Sequence, residues 1–279
     1  MDSFPPNLSK PRSELKIVPE DIGMIHVGGL DNFRSAFGDD KPFFAGKSWY
    51  VDSFRGGADS AQIFRAGGYS FLHLALEMQA DDDVVAWARS VMVKYPGLPT
   101  IISTHDYLDV HGERHPNPII DLDRVDPDHH NSAEELFQKL IKPNDQIFMV
   151  LCGHQHGQSR RADRNDLGHV VHQILADYQD RGQSALDAGQ PPDRFFRRPV
   201  GVGDGWFRIL RFDTSGEIPT VEVRTYSTHY GVLSGELPTY ADWYREHEQP
   251  GMTPDEFLAE EEFTLELPDF RARFGPPRP

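Results

Sequence analysis

A single cysteine, Cys152, stands among 279 residues, which excludes an intrachain disulfide and leaves the redox compartment open. Long apolar runs are also missing, none approaching the ~20 residues needed to span a bilayer. The stretch from Met1 to Glu20 is rich in proline, serine and charge and lacks the apolar core of an export signal. The expectation is a soluble chain with no visible export signal and no membrane partner. Basic residues are scarce, 28 Lys and Arg against 44 Asp and Glu, for a formal net charge of −16. That balance argues against a sequence-independent grip on nucleic acid or an anionic membrane. A small anionic substrate stays admissible, because a bound metal ion can reverse the local potential.

What is present reads first as alternating strands and helices. Residues 1–20 read as a disordered lead-in, and the apolar segment Ile22–Val27 ends in Gly28-Gly29-Leu30-Asp31, a strand followed by a turn. Tyr69–Leu76 has strand character. Asp81-Asp82-Asp83 caps a helix whose apolar positions Val84, Val85, Ala88, Val91 and Met92 recur at helical spacing. A strand over Thr100–Ser103 leads to His105, and Ser132-Ala133-Glu134-Glu135 is a capping box opening a helix through Leu140. The apolar run Ile147–Cys152 is a buried strand that opens into Gly153-His154-Gln155-His156. Further on, Val170–Leu175, Trp206–Phe212 and Val221–Tyr226 read as strands with no strong helix between them, and Gln179–Gly205 as a long polar loop. A short helix begins at Thr253, a strand is possible at Phe263–Leu267, and residues 275–279 read as a frayed tail. The organisation expected is a lead-in over 1–20, a domain over 21–235 and an acidic C-terminal extension over 236–279.

The chemistry concentrates at two strand exits. Gly153-His154-Gln155-His156 delivers two imidazoles from the end of a buried strand, and Thr104-His105-Asp106 repeats the arrangement one strand earlier. Neutral imidazole suits Zn²⁺, Fe²⁺ or Mn²⁺, with carboxylate or amide oxygen completing such sites. Ligands outside the carboxyl ends of strands are the expected placement in an open α/β sheet.

On these two elements the chain resembles the calcineurin-like metallophosphoesterase family. Supporting stretches are Gly67-Gly68-Tyr69-Ser70-Phe71, Asp177-Tyr178-Gln179, Gly203-Asp204-Gly205-Trp206-Phe207-Arg208 and Thr225-Tyr226-Ser227. The resemblance covers about residues 28–230 and implies an α/β fold of two packed mixed sheets flanked by helices, with a two-metal site at the strand ends. It further implies hydrolysis of a phosphate-ester substrate by metal-activated water, with divalent Fe, Zn or Mn as cofactor. By position, His105 and His154 would ligate the second metal and His156 the first.

The same resemblance marks departures. The family pattern opens with Asp-x-His and Gly-Asp-x-x-Asp, and neither precedes Gly28 here. Gly28-Gly29-Leu30-Asp31 falls where Gly-Asn-His-Asp is expected, so Gly29 replaces a ligand and Leu30 replaces the catalytic His. The implied consequences are an incomplete metal site, absent N-terminal strands, and possible self-association through an exposed sheet edge. A truncated or degenerate member with vestigial histidines is the alternative reading.

Other candidates have two readings each. Arg160, Arg161 and Arg164 form either a phosphate-binding cluster or a solvated face. His111, His115, His129 and His130 are either solvated loop residues or an active-site rim, and Asp109-Val110-His111 is most simply surface loop. His169 and His172 read as structural or exposed. Trp206 reads as a core anchor, Cys152 as a buried small residue, and Glu260-Glu261-Glu262 as a solvated helix end.

Overall fold

The computed structural model describes residues 30–114, 130–179, 181–191, 203–237 and 239–277. The lead-in, the Ile22–Val27 segment, Gly28, Gly29, His115, His129 and much of the loop before Gly205 lie outside the described residues.

Seven strands form one mixed sheet: β1 (Tyr50–Phe54), β2 (Asp59–Ala66), β3 (Tyr69–Ala75), β4 (Thr100–Asp106), β5 (Ile147–Gly153), β6 (Gly157–Arg164) and β7 (Val170–Asp177), in the order β1-β2-β3-β4-β5-β7-β6. β3, β4, β5 and β7 are parallel neighbours, while β2 and β6 run against them. A second sheet of β8 (Trp206–Asp213), β9 (Thr220–Ser227) and β10 (Phe263–Glu266) is antiparallel throughout, with β9 in the middle. The α/β fold with two packed sheets and flanking helices is therefore present, the larger sheet mixed and the smaller antiparallel.

Side chains alternate across the large sheet, so its two faces bury separate cores. Leu72 and Leu74 of β3, Ile102 of β4 and Val150 and Cys152 of β5 face the helices. There they meet Val84, Val85, Ala88, Val91 and Met92 of a helix at Asp82–Lys94, and Leu136 and Leu140 of the segment begun by Ser132. The opposite face carries Phe71, Ile101, Phe148 and Ile174 onto Val221, Val223, Leu267 and Phe270 of the small-sheet layer.

Helix boundaries follow their caps. Ahead of the sheet lies α1 (Asp31–Phe37), which starts after Leu30 without a side-chain cap. In α2 (Asp82–Lys94) Asp81 is the N-cap and accepts the Val84 N–H at 3.0 Å. Ser132 and Glu135 close the expected capping box on α3 (Ala133–Leu136), which continues as a π-helical turn over Phe137–Ile141. After it come α4 (Gln183–Asp187), α5 (Asp242–Glu248), α6 (Pro254–Ala259) and α7 (Phe270–Phe274). Among the described residues no helix is long and apolar enough to cross a membrane.

Four features go beyond or against the sequence reading. β1, β2 and β6 are strands that the sequence reading does not name; β1 and β6 are edges, and β6 keeps Arg160, Arg161, Asp163 and Arg164 there. Within residues 236–279, β10 pairs with β9, and Phe270 packs on Tyr69, Phe71 and Phe148. The tail at Gly275 is tied down, since the Tyr69 hydroxyl donates to its carbonyl at 2.9 Å. Glu261 is not solvated but fully buried, 2.5 Å from the Arg181 guanidinium and bonded by the Tyr178 and Tyr240 hydroxyls. A buried carboxylate demands such partners.

Candidate functional site

The parallel strands β3, β4, β5 and β7 all end on the same side of the sheet, and the histidine elements leave from there. Pairing of Asp106 with Gly153 brings the ends of β4 and β5 level. Beyond Gly153 the chain has only His154, Gln155 and His156 in which to cross the end of β7, because β6 begins at Gly157 on the far side of β7, paired with Asp177. That crossing spans two strand spacings, about 9–10 Å. Four Cα steps reach at most about 14 Å, so the turn is short and sits astride Asp177.

Contacts follow from that path. The His154 N–H donates to Asp177 Oδ2 at 2.8 Å, and His154 holds a left-handed backbone with φ of 71°. Its Nδ1 lies 3.0 Å from His105 Nε2, the two rings edge to face with centroids 4.7 Å apart. His105 is exposed and His154 half-buried, so solvent reaches the pair. Partial withdrawal of the ring from water, reinforced by His154, lowers the pKa of His105 against the opposing pull of Asp177 and Asp106. A lowered pKa favours the neutral ring, the form that ligates metal. His156 lies two residues on, where the Gln179 side-chain amide donates to its Nε2 at 2.8 Å.

The separation within the pair can be compared with that of two ligands on one cation. Two ligand nitrogens each ~2.0–2.1 Å from one cation and roughly at right angles lie about 2.9 Å apart, close to the 3.0 Å separation here. Among the described residues, no group of three or more His, Cys, Asp or Glu encloses a common point suited to a cation. The structure thus brings His105 and His154 together and leaves His156 on the same turn with Gln179.

Several residues at this end escape sequence reading. Asp106 is buried at the end of β4, its carboxylate accepting the Gln155 amide at 3.1 Å and the Gln79 amide at 3.4 Å. Thr104 Oγ1 donates to the Glu77 carbonyl at 3.1 Å, and Glu77 pairs with Arg55 at 3.1 Å, which also reaches Asp81 at 2.7 Å. Asp177 could have been found by the logic that found His154, since it closes an apolar strand. Gln155, Gln79 and Asp106 carry no such signal.

The remaining candidates are placed as follows. Arg160 pairs with Glu260 at 3.2 Å and lies over the Phe263 ring, while Arg161 binds Asp163 at 2.6 Å and Glu113 at 3.1 Å. Arg160 stands opposite Ile174, three positions along β7 from Asp177, so both arginines enter the sheet away from the histidine turn. Asp109 accepts the backbone N–H groups of His111 and Glu113, which makes that loop a turn. His130 bonds the Gln79 carbonyl at 3.1 Å, and His169 pairs with Asp145 at 2.7 Å. Trp206 packs on Tyr240 in the core, and burial pushes the Cys152 thiol up to about 12.

No protein-family model matches the chain. It is similar to the uncharacterized protein YvnB of Bacillus subtilis (strain 168), 29% identical over 208 residues. That alignment takes in 72% of this chain and 13% of YvnB, so the chain spans a small part of that relative's length.

Proposed function

We propose that this chain is a metallophosphoesterase-type domain whose site lies at the carboxyl ends of β4, β5 and β7 and acts on a phosphate ester. The observation that carries this reading is the 3.0 Å approach of His105 Nε2 to His154 Nδ1 at adjacent strand exits. His105 and His154 would hold a divalent Fe, Zn or Mn ion between them, with His156, bonded by Gln179, on the same turn. Such a cation, when bound, polarises a phosphoryl oxygen and activates the attacking water. The chain's own contribution is to set two imidazole nitrogens 3.0 Å apart at one end of the sheet, His105 being held toward its neutral form. Arg160 and Arg161 already serve Glu260 and Asp163, so phosphate recognition falls to groups at the histidine turn.

A second reading, a domain that holds a cation without turnover, is favoured by Leu30. At the position where the resemblance calls for a histidine, an isobutyl side chain can donate no proton to a leaving group. An assay with an aryl phosphate monoester and diester, with Mn²⁺ or Zn²⁺ added, separates the two. Turnover that vanishes in His154→Ala supports the enzyme. Cation binding without turnover supports the second reading, and neither binding nor turnover would falsify both.

A further inference from the structure

Two carboxylates that end the strands flanking β5 grip the histidine turn from opposite sides. Asp177, closing β7, takes the His154 backbone N–H at 2.8 Å. Asp106, closing β4, takes the Gln155 side chain at 3.1 Å with one oxygen and the Gln79 side chain at 3.4 Å with the other. Asp106 and Gln79 are each only 3% exposed, so the bond between them forms away from water, where a polar contact is strongest, while the other two are part-buried.

The backbone at this end is strained as well. Among the described residues, four that are not glycine hold positive φ. Arg55 (50°), Gln79 (51°) and His154 (71°) are three of them, and all lie in segments leaving the same end of the sheet. A side chain in that region persists only where the surrounding bonds over-determine it. The Asp177 bond to the His154 N–H does so at the residue that faces His105.

We propose that Asp106 and Asp177 are positioning residues, a carboxylate clamp that fixes the His154 ring against His105 before any cation arrives. The cation itself rests on the function proposed above. The ring geometry does not. Asp177 acts through the backbone of His154, and Asp106 acts through Gln155 while tying the turn to the loop after β3. Without Asp177 the left-handed residue loses its acceptor and its φ relaxes, which carries the imidazole away from His105. Without Asp106 the turn and the Gln79 loop move independently.

The test uses the full chain with Asp177→Ala, Asp177→Asn and Asp106→Ala. Imidazole ¹⁵N–¹H spectra of the metal-free protein, assigned with His105→Gln and His154→Gln, read the ring-to-ring contact. Co²⁺ titration followed by visible absorption reads the site, and thermal unfolding reads the fold. Both alanine variants are expected to lose the contact and to bind Co²⁺ about 10–100-fold more weakly, while unfolding near the parent temperature. Asp177→Asn keeps an oxygen that accepts the His154 N–H, so it restores the contact and most of the affinity. Retention of the ring contact in both alanine variants overturns the clamp. So does Asp177→Asn keeping the contact but losing Co²⁺, which would make Asp177 a ligand. If the parent binds no Co²⁺, the cation reading fails, and the ring contact in the metal-free spectra still decides the clamp.

Discussion

Asp59 is a carboxyl group that the fold holds toward its protonated form. It has no exposed surface, its Oδ1 accepts the Glu77 N–H at 2.9 Å, and its Oδ2 has no hydrogen-bond partner. Burial raises its pKa to about 7; Glu77 and Asp81 add to the rise, while the Glu77 N–H and Arg55 oppose it. In the unfolded chain the same group titrates near ~4. Between those values the folded state binds the extra proton, so this group makes the protein less stable as pH rises from about 4 to about 7. Asp59→Asn keeps the acceptor for Glu77 and removes the charge. It is expected to gain on the order of 4 kcal/mol over the parent at pH 8 and little at pH 4, by urea unfolding at both pH values. An equal effect at both would show that Asp59 is not held protonated. Nothing in the sequence singles out Asp59, which opens β2 opposite Phe54 of β1.

At the scale of elements, legibility depended on where an element sits. The helix α2 was visible because one face is buried and its N-terminus carries its own cap. The capping box of Ser132 and Glu135 was visible for the same local reason. The edge strand β6 was not, because an edge strand can keep charged side chains in water and so lacks an apolar signature. Asp81 links the element scale to the site: one oxygen caps α2 at Val84, and the other holds Arg55 at 2.7 Å. Asp81→Ala is expected to cost about 1–2 kcal/mol from the cap. Its effect in urea unfolding should exceed that of Arg55→Ala, which leaves the cap in place. Equal losses would mean that the ion pair, and not the cap, anchors this helix.

For the whole molecule, the C-terminal segment turns out to be structural. Phe270 is 2% exposed and meets Tyr69, Phe71, Phe148 and Phe274 between the two sheets. Phe270→Ala is expected to destabilise the chain by about 3–5 kcal/mol, measured by chemical unfolding. A loss of less than about 1 kcal/mol would show that this layer does not hold the sheets together. The acidic composition of residues 236–279 hid this, since Glu261 is buried only because Arg181 and Arg208 come from distant strands and loops. The candidate site was half legible in the same sense. His105 and His154 could be named from strand exits alone. That Asp177, Asp106, Gln155 and Gln79 meet there could not be read, because their meeting depends on β6 skipping past β7, a topology that no local pattern announces.

The most direct measurement is metal content per chain after purification, by elemental analysis, beside a His154→Ala control. A cation held between His105 and His154 predicts about one or more first-row metal ions per chain, largely lost in the variant. Metal absent from the parent, or present and unchanged by the substitution, would contradict a metal site at these strand ends.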